Sequence, residues 1–368
     1  MNKLIFANLV HRPMRSIISV LAVAIEVIMI LSIVGVFMGI LDDQKERTNG
    51  IGADLMLRAS HASEMNGMGG ATIPIKNIEA IRALPHVVAA SPVIMTTSTS
   101  GGAIEILDGI DYPSFNALKP FVFLSGGPFK EKYDVIIDDV LAAGKGGLHV
   151  GDTLTVMDRP FRICGIVEHG KGGRKLLPIG TMGELMGAEG KATLFYIKVD
   201  NPANESLVIQ EIHATRGLED YPAQTMEDWN SMMTPARLPG FNIALYVVTC
   251  IAVIVGFLVI FQSMYTAVLE RTREIGILKS MGASKATIVG VVLRETAVMA
   301  VAGVLVGIVG VFGVRVLLGH VFPTLHFEIS GEWLVRGTLI AFVGSVCGAF
   351  YPAWMAARRD AIEALAYE

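Results

Sequence analysis

Charge is scarce in this chain. Asp, Glu, Lys and Arg make up 17% of its 368 residues, against 52% hydrophobic residues. That balance excludes an ordinary soluble globular protein. The net charge is −4 and no basic cluster with interleaved aromatics occurs, so nucleic acid is excluded as a partner. Cysteine is nearly absent. Of Cys164, Cys250 and Cys347, the last two fall in long apolar runs, which leaves no pair for a disulfide framework in the polar region. There is no Gly-x-Ser-x-Gly elbow, His-Glu-x-x-His pair or CxxC, and His86, His149, His169 and His213 show no ligand spacing. No catalytic residue and no metal site is expected. The glycine- and lysine-containing stretches Gly144 to Gly147 and Gly170 to Lys175 lack the spacing of a nucleotide-binding P-loop and its Ser/Thr, and read as flexible loops. His61, Met65 and Met68 read as a mobile loop rather than a soft-metal site.

What the chain has is long apolar runs. After a basic N-terminus (residues 1–15, with Lys3, Arg12 and Arg15), residues 16–41 form the first run, too long for a signal peptide's apolar core and without a small-residue cleavage site at its end. It reads as an uncleaved span, TM1. Three more follow: TM2 at 241–268, TM3 at 291–318 and TM4 at 333–357. Residues 42–240 have the composition of a soluble α+β domain, with strands expected at Ala53–Leu57, Val87–Thr97, Ile104–Ile110, Asp134–Asp138, Thr153–Val156, Phe161–Val167 and Thr193–Val199. Helical pieces are expected at Ile75–Leu84, around Glu184–Met186 and at Asn204–Thr215, and a turn at Asp158 to Pro160. The fold class is therefore integral membrane α-helical: four transmembrane helices, with a large extracytoplasmic α+β domain inserted between the first and second.

Lys and Arg set the orientation. The segments read as inside hold Lys3, Arg12 and Arg15, then Arg271, Arg273, Lys279, Lys285 and Arg294, then Arg358 and Arg359. The loop 319–332 has none. The positive-inside rule then puts both termini in the cytoplasm and the large domain outside. Gly303-xxx-Gly307 in TM3 and Gly344-xxx-Gly348 in TM4 are small-residue pairs that let helices approach closely, within the chain or in a dimer. Glu26 stands near the middle of TM1. A carboxylate there is costly and reads either as a proton or substrate site or as a residue satisfied at a helix interface.

Between TM2 and TM3 lies a charged island, residues 270–284. Glu270, Arg271, Arg273 and Glu274 lead, Ile275, Gly276, Leu278, Lys279 and Met281 follow, Gly282 is a helix stop and Ser284 a cap for the next helix. Physical chemistry alone allows an ordinary cytoplasmic loop or a short amphipathic helix that docks into a partner and hands movement to the spans.

The pattern Glu-Arg-x-Arg-Glu-Ile-Gly followed by Gly-Ala-Ser, Glu295 at the start of TM3, the ending Pro352-Ala-Trp-Met-Ala-Ala-Arg358, and external segments such as Ile51 to Leu55, Val150 to Leu154 and Phe161 to Val167 resemble the FtsX/MacB/LolC-type permease subunits of ABC transporters, the mechanotransmission class. Asp360-Ala361 replaces a proline usual there. The resemblance implies a bacterial inner-membrane protein that is not itself an enzyme and binds no cofactor. It implies a homodimer or heterodimer with a related permease, joined by two copies of a separate ATPase that binds the ATP. It also implies contact with membrane lipids and a possible periplasmic adaptor or outer partner. The short N-terminus leads us to expect no fused ATPase. On this reading residues 270–282 couple to the ATPase. A membrane-anchored receptor or scaffold with no ATPase is the alternative, and a secondary transporter using Glu26 a weaker one.

Overall fold

The structure, a computed structural model, describes residues 13–59, 72–100, 103–144, 146–234 and 241–358. The expectations for residues 1–12, for His61, Met65 and Met68, and for Arg359 and the rest of the tail fall outside these.

The chain forms two compact units, one of described residues up to 39, 241–321 and from 327 on, the other of 40–239 with 322–326. In the first, four helices are long and apolar enough to cross a membrane. They are α1 (Pro13–Gly50), α8 (Phe241–Glu270), α10 (Lys285–Val321) and α11 (Gly331–Arg358). Helix is the form such apolar runs must take, because hydrocarbon offers backbone amides no other partner. Helix α1 is longer than the apolar run that begins it. Its 38 residues correspond to about 57 Å at 1.5 Å per residue, against about 30 Å of hydrocarbon. The polar last turns, from Asp42 on, therefore continue the helix as a stalk.

Between α1 and α8 the described residues fold into α2 (Ile78–Arg82), α3 (Tyr112–Leu118), α4 (Asp139–Gly144), α5 (Ile179–Met186), α6 (Glu205–Ala214), α7 (Met226–Met232) and twelve strands. These strands are β1 (Leu55–Arg58), β2 (Ile73–Pro74), β3 (Val87–Ser100), β4 (Ala103–Ile110), β5 (Phe123–Gly126), β6 (Asp134–Asp138), β7 (Thr153–Val156), β8 (Arg159–Val167), β9 (Lys175–Pro178), β10 (Lys191–Ala192), β11 (Leu194–Val199) and β12 (Ala223–Thr225). Ten form one sheet in the order β12-β1-β11-β3-β4-β9-β6-β8-β5, with β7 on β8; β2 and β10 pair separately. Pairing is antiparallel except at β4/β9 and β6/β8.

Period-two alternation divides the core between the two faces of the sheet. On β1 and β11, Leu55, Leu57, Phe195 and Ile197 pack with Ile81 of α2 and Ile212 of α6. The intervening Met56 and Tyr196 pack with Phe115 of α3 and Trp229 of α7. A third cluster joins Val135 and Ile137 of β6 to Phe161 and Ile163 of β8 and Met182 of α5. Side chains start the short helices: Asp111 Oδ2 accepts from Ser114 N at 3.4 Å for α3, and Thr225 Oγ1 from Asp228 N at 2.9 Å for α7.

Three local features differ from the sequence expectation. The β7–β8 turn falls at Met157-Asp158, not at Asp158 to Pro160. Both residues have positive φ (49° and 59°), as a two-residue hairpin loop requires, and Arg159 already pairs with Val156. Strands β2, β5, β9, β10 and β12 were not anticipated, because each is two to four residues long and none shows an alternating apolar pattern. The stretch Gly170 to Lys175 is no flexible surface loop: Lys171 and Lys175 are buried, and Gly172 and Gly173 lie against the Asp108 side chain.

Candidate functional site: the junction of α8, α9 and α10

The charged island folds as α9 (Thr272–Ser280), a separate helix between α8 and α10. Helix α8 runs through Glu270 and stops at Arg271, whose backbone (φ −109°, ψ 18°) leaves the helical region. The side chain of Arg271 turns inward. Its Nη1 donates to both oxygens of Glu295 on α10, at 3.0 and 3.3 Å, with the two side chains only 12% and 5% exposed. Thr272, also buried, donates from Oγ1 to the carbonyl of Leu269 at 2.7 Å. The start of α9 is thus held to the end of α8 and to α10 by a charge pair largely out of water.

The far end of α9 closes with a Schellman turn. Ala283 N donates to Leu278 O at 3.0 Å and Gly282 N to Lys279 O at 2.9 Å, with Gly282 at φ +92°. A Cβ at 282 would meet nothing within 4 Å, so backbone conformation, not space, calls for glycine there. Ser284 Oγ then accepts from Thr287 N at 3.2 Å and starts α10.

With both ends fixed, the rotation of α9 is set. Gly276 is buried, and Ile275 packs on Val268, Ile288, Ala356 and Ala357. Arg273, Glu274, Ile277, Leu278 and Met281 lie on the opposite, exposed face, spaced i, i+1, i+4, i+5, i+8. Met281 is 73% exposed, and Ile277 and Leu278 are 45% and 38% exposed. A groove of about 410 Å³ runs beside this face, lined by Arg271, Glu274, Leu278, Ile288 and Val292 among others. An anionic and a cationic head thus stand beside three bare apolar side chains on one exposed face.

The structure therefore sorts the expected coupling residues. Arg273, Glu274, Leu278 and Met281 share the exposed face, Ile275 and Gly276 face inward, Arg271 belongs to the Glu295 pair, Glu270 ends α8, Lys279 is half-buried and Gly282 ends α9. Ile277, an apolar residue of the same island, shares this face and was not among the expected coupling residues. Its i+4 relation to Arg273 and to Met281 was the available signal.

The other expected residues lie among the long helices. A Cβ at Gly303 would fall 2.6 Å from Val23 Cβ of α1, and one at Gly307 2.7 Å from Val27 Cβ. A Cβ at Gly348 would fall 2.8 Å from the Phe257 carbonyl of α8, and one at Gly344 3.5 Å from Val253 Cγ1. Glu26 is 3% exposed and neither carboxylate oxygen has a hydrogen-bond partner. It points at Gly256 of α8, where any Cβ would overlap Oε2, with Gly344 beside Oε1. Gly256 went unnoticed in the sequence, where it stands alone in an apolar run.

Four apolar helices, an α+β domain between the first and second, and a short amphipathic helix between the second and third define a membrane permease with an external domain. Residues 16–215 match the model of the MacB-like periplasmic core domain and residues 246–361 that of the FtsX-like permease C-terminal domain. The first match alone covers more than half of the chain, and the protein belongs to this family, the ABC transporter permeases of the MacB/FtsX type. It is 28% identical over 236 residues to an ABC transporter permease of Methanocaldococcus jannaschii, covering 59% of this chain and 58% of that protein. It is 42% identical over 91 residues to the ABC transporter permease YtrF of Bacillus subtilis, covering 25% and 21%. These two alignments span less than two thirds of the relatives' length. A third, to YknZ of Bacillus subtilis, is 26% identical over 405 aligned positions and covers 100% and 98%. The periplasmic region of MacB from Actinobacillus actinomycetemcomitans superposes with a TM-score of 0.38 at 15% identity, covering 50% of this chain and 94% of that one.

Proposed function

We propose that this chain carries ATP-driven movement from a separate ATPase to its external domain, for export, extraction or signalling on the outer side of the membrane. The observation that supports this most directly is the exposed face of α9. Ile277, Leu278 and Met281, flanked by Arg273 and Glu274, are presented to a partner while the Arg271–Glu295 pair fixes the helix to α8 and α10. Movement of α9 is then movement of both long helices. The Lys and Arg distribution puts this junction and both termini in the cytoplasm, where ATP is available. Two ATPase copies on a homodimer or heterodimer of permeases complete the assembly. Polar groups within the described long helices are few, and some pair with each other, as Ser19 does with Ser263 at 2.6 Å. Substrate is accordingly handled by the external domain rather than threaded through the helices.

The test is co-purification of the ATP-binding subunit with the full chain carrying Leu278→Asp, Met281→Asp or Glu274→Lys. A charge placed in the apolar part of a helix-in-groove contact removes a hot spot, so the first two should weaken retention at least tenfold, about 1.4 kcal/mol. Glu274→Lys should uncouple hydrolysis from outer-domain movement without unfolding the helices. Undiminished retention and unchanged coupling in all three would refute the reading.

A further inference from the structure

The stretch Gly170 to Arg174 lies against the last turns of α1. A Cβ on Gly50 would overlap the Gly170 carbonyl oxygen, Gly172 N donates to Arg47 O at 3.0 Å, and Arg174 Nη2 donates to Asp43 Oδ1 at 2.8 Å. Asp43, Arg47 and Gly50 are spaced i, i+4, i+7, so one stripe of the helix is engaged along two turns. Arg174 then reaches two further segments. Nη1 donates to Asp138 Oδ2 at the end of β6, at 2.8 Å, and Nη2 also donates to the carbonyl of Thr324 at 3.2 Å. Thr324 sits in 322–326, the connector that follows α10.

Arg174, Asp43 and Asp138 have side chains 15%, 14% and 6% exposed, so salt screens their attraction little. Neighbours reinforce the group. Arg47 Nε stands 3.1 Å from Asp43 Oδ2, in ion-pair range though off the hydrogen-bond direction, and His326 Nδ1 stands 3.6 Å from Asp43 Oδ1. Asp138 Oδ1 accepts from Leu141 N at 2.7 Å and so also starts α4.

We propose that Arg174 is a positioning residue for force transmission, its guanidinium tying the stalk end of α1 and the connector after α10 to strand β6 of the external sheet. This rests on the transmission reading above. Two of the three tied segments continue apolar helices by direct chain connection. A shift of the stalk relative to the connector must either carry β6 and α4 with it or break charged hydrogen bonds with little water to replace them. A planar guanidinium suits this role because its five donors diverge in fixed directions, whereas a lysine's three donors share one rotatable nitrogen.

The test is hydrogen–deuterium exchange on the full chain with its ATP-binding subunit in lipid nanodiscs, with and without a non-hydrolysable ATP analogue. The proteins are wild type, Arg174→Gln and Asp43→Asn; the last removes the charge of the stalk tie, together with the Asp43 pairs to Arg47 and His326, and leaves Arg174–Asp138 in place. Without nucleotide, Arg174→Gln should speed exchange severalfold at both 139–144 and 322–326, and Asp43→Asn at 44–50. With nucleotide, wild type should change at α9 and at 139–144. Both variants should keep the change at α9 and lose most of it at 139–144. An undiminished response at 139–144 in both variants, or unchanged exchange in all three segments without nucleotide, overturns the proposal. A wild type that shows no nucleotide response even at α9 overturns the transmission reading instead, while the nucleotide-free comparison still decides whether the tie exists.

Discussion

Single residues carry two measurable consequences. Glu295 is 5% exposed beside Arg271, so Arg271→Ala leaves a carboxylate buried without its cation, a change of about 3–5 kcal/mol. Thermal unfolding of the full chain in detergent should show that loss in Arg271→Ala, and partial recovery when Glu295→Ala is added, because the second change removes the orphaned charge. The second concerns pH. Asp108 of β4 is fully buried and accepts from Gly173 N at 2.6 Å through Oδ2, while Oδ1 has no hydrogen-bond partner. Burial pushes its carboxyl up to about 6, against the smaller opposing pulls of the Gly173 amide and the Arg47 charge. The folded state therefore holds this proton after the unfolded chain has released it. The Asp108 contribution to stability is full below about pH 4 and falls as pH rises to about 6, by about 3 kcal/mol in all. Asp108→Asn should remove that slope from the pH dependence of unfolding. Lys171 works in the other direction. Burial against Phe121 (3.9 Å to the ring centroid) and Phe115 lowers its ammonium to about 7. The unfolded chain thus binds the proton more tightly, and stability should rise with pH from about 7 toward the ordinary lysine range, a limb that Lys171→Met should abolish. The burial of Asp108 and Lys171 did not show in the sequence, where one is an acid in a short strand and the other a lysine in a glycine-rich stretch. What singles them out is the set of groups that folding brings around them.

At the scale of elements, periodicity carried most of the reading. Four apolar runs became four long helices, and the alternating segments around β3, β4, β6, β7, β8 and β11 became strands. The segments that escaped were those whose conformation is imposed by neighbours. Strand β9 is four residues long and fully apolar only at Leu176 and Leu177, and it is a strand because β4 and β6 flank it. The preceding glycines look like a flexible loop in sequence. In the fold they allow close approach, for a Cβ at Gly173 would fall 3.0 Å from Asp108 Oδ2. Helix α9 was expected from its composition, but its rotation followed from the inward turn of Arg271, which exposed Ile277 and covered Ile275. Gly282→Ala forces an L-residue to φ +92°, which should cost about 1–2 kcal/mol. If the Schellman turn fixes the aim of α9, this variant should also reduce retention of the ATP-binding subunit while Gly290→Ala, in open space within α10, should not. Equal retention in both would show that the turn does not matter to docking.

For the whole molecule, family membership fixes the architecture, a permease with four apolar helices and an external α+β domain, and the topology proposed for it can be checked directly. A membrane-impermeant maleimide applied to intact spheroplasts should label His213→Cys, exposed in the α+β domain, and should label Lys285→Cys, at the start of α10, only after lysis. Labelling in the reverse order would invert the orientation. The sequence by itself determined the number of apolar helices, the place of the inserted domain and the family, because length, hydropathy and short motifs are properties of contiguous residues. Only the tertiary structure decided which face of the charged island is presented, why Glu26 needs Gly256, and how Arg174 joins the stalk of α1, strand β6 and the connector after α10. Those relations link residues 24 to 230 positions apart, and such partners are chosen by packing and burial, which leave no local pattern to read.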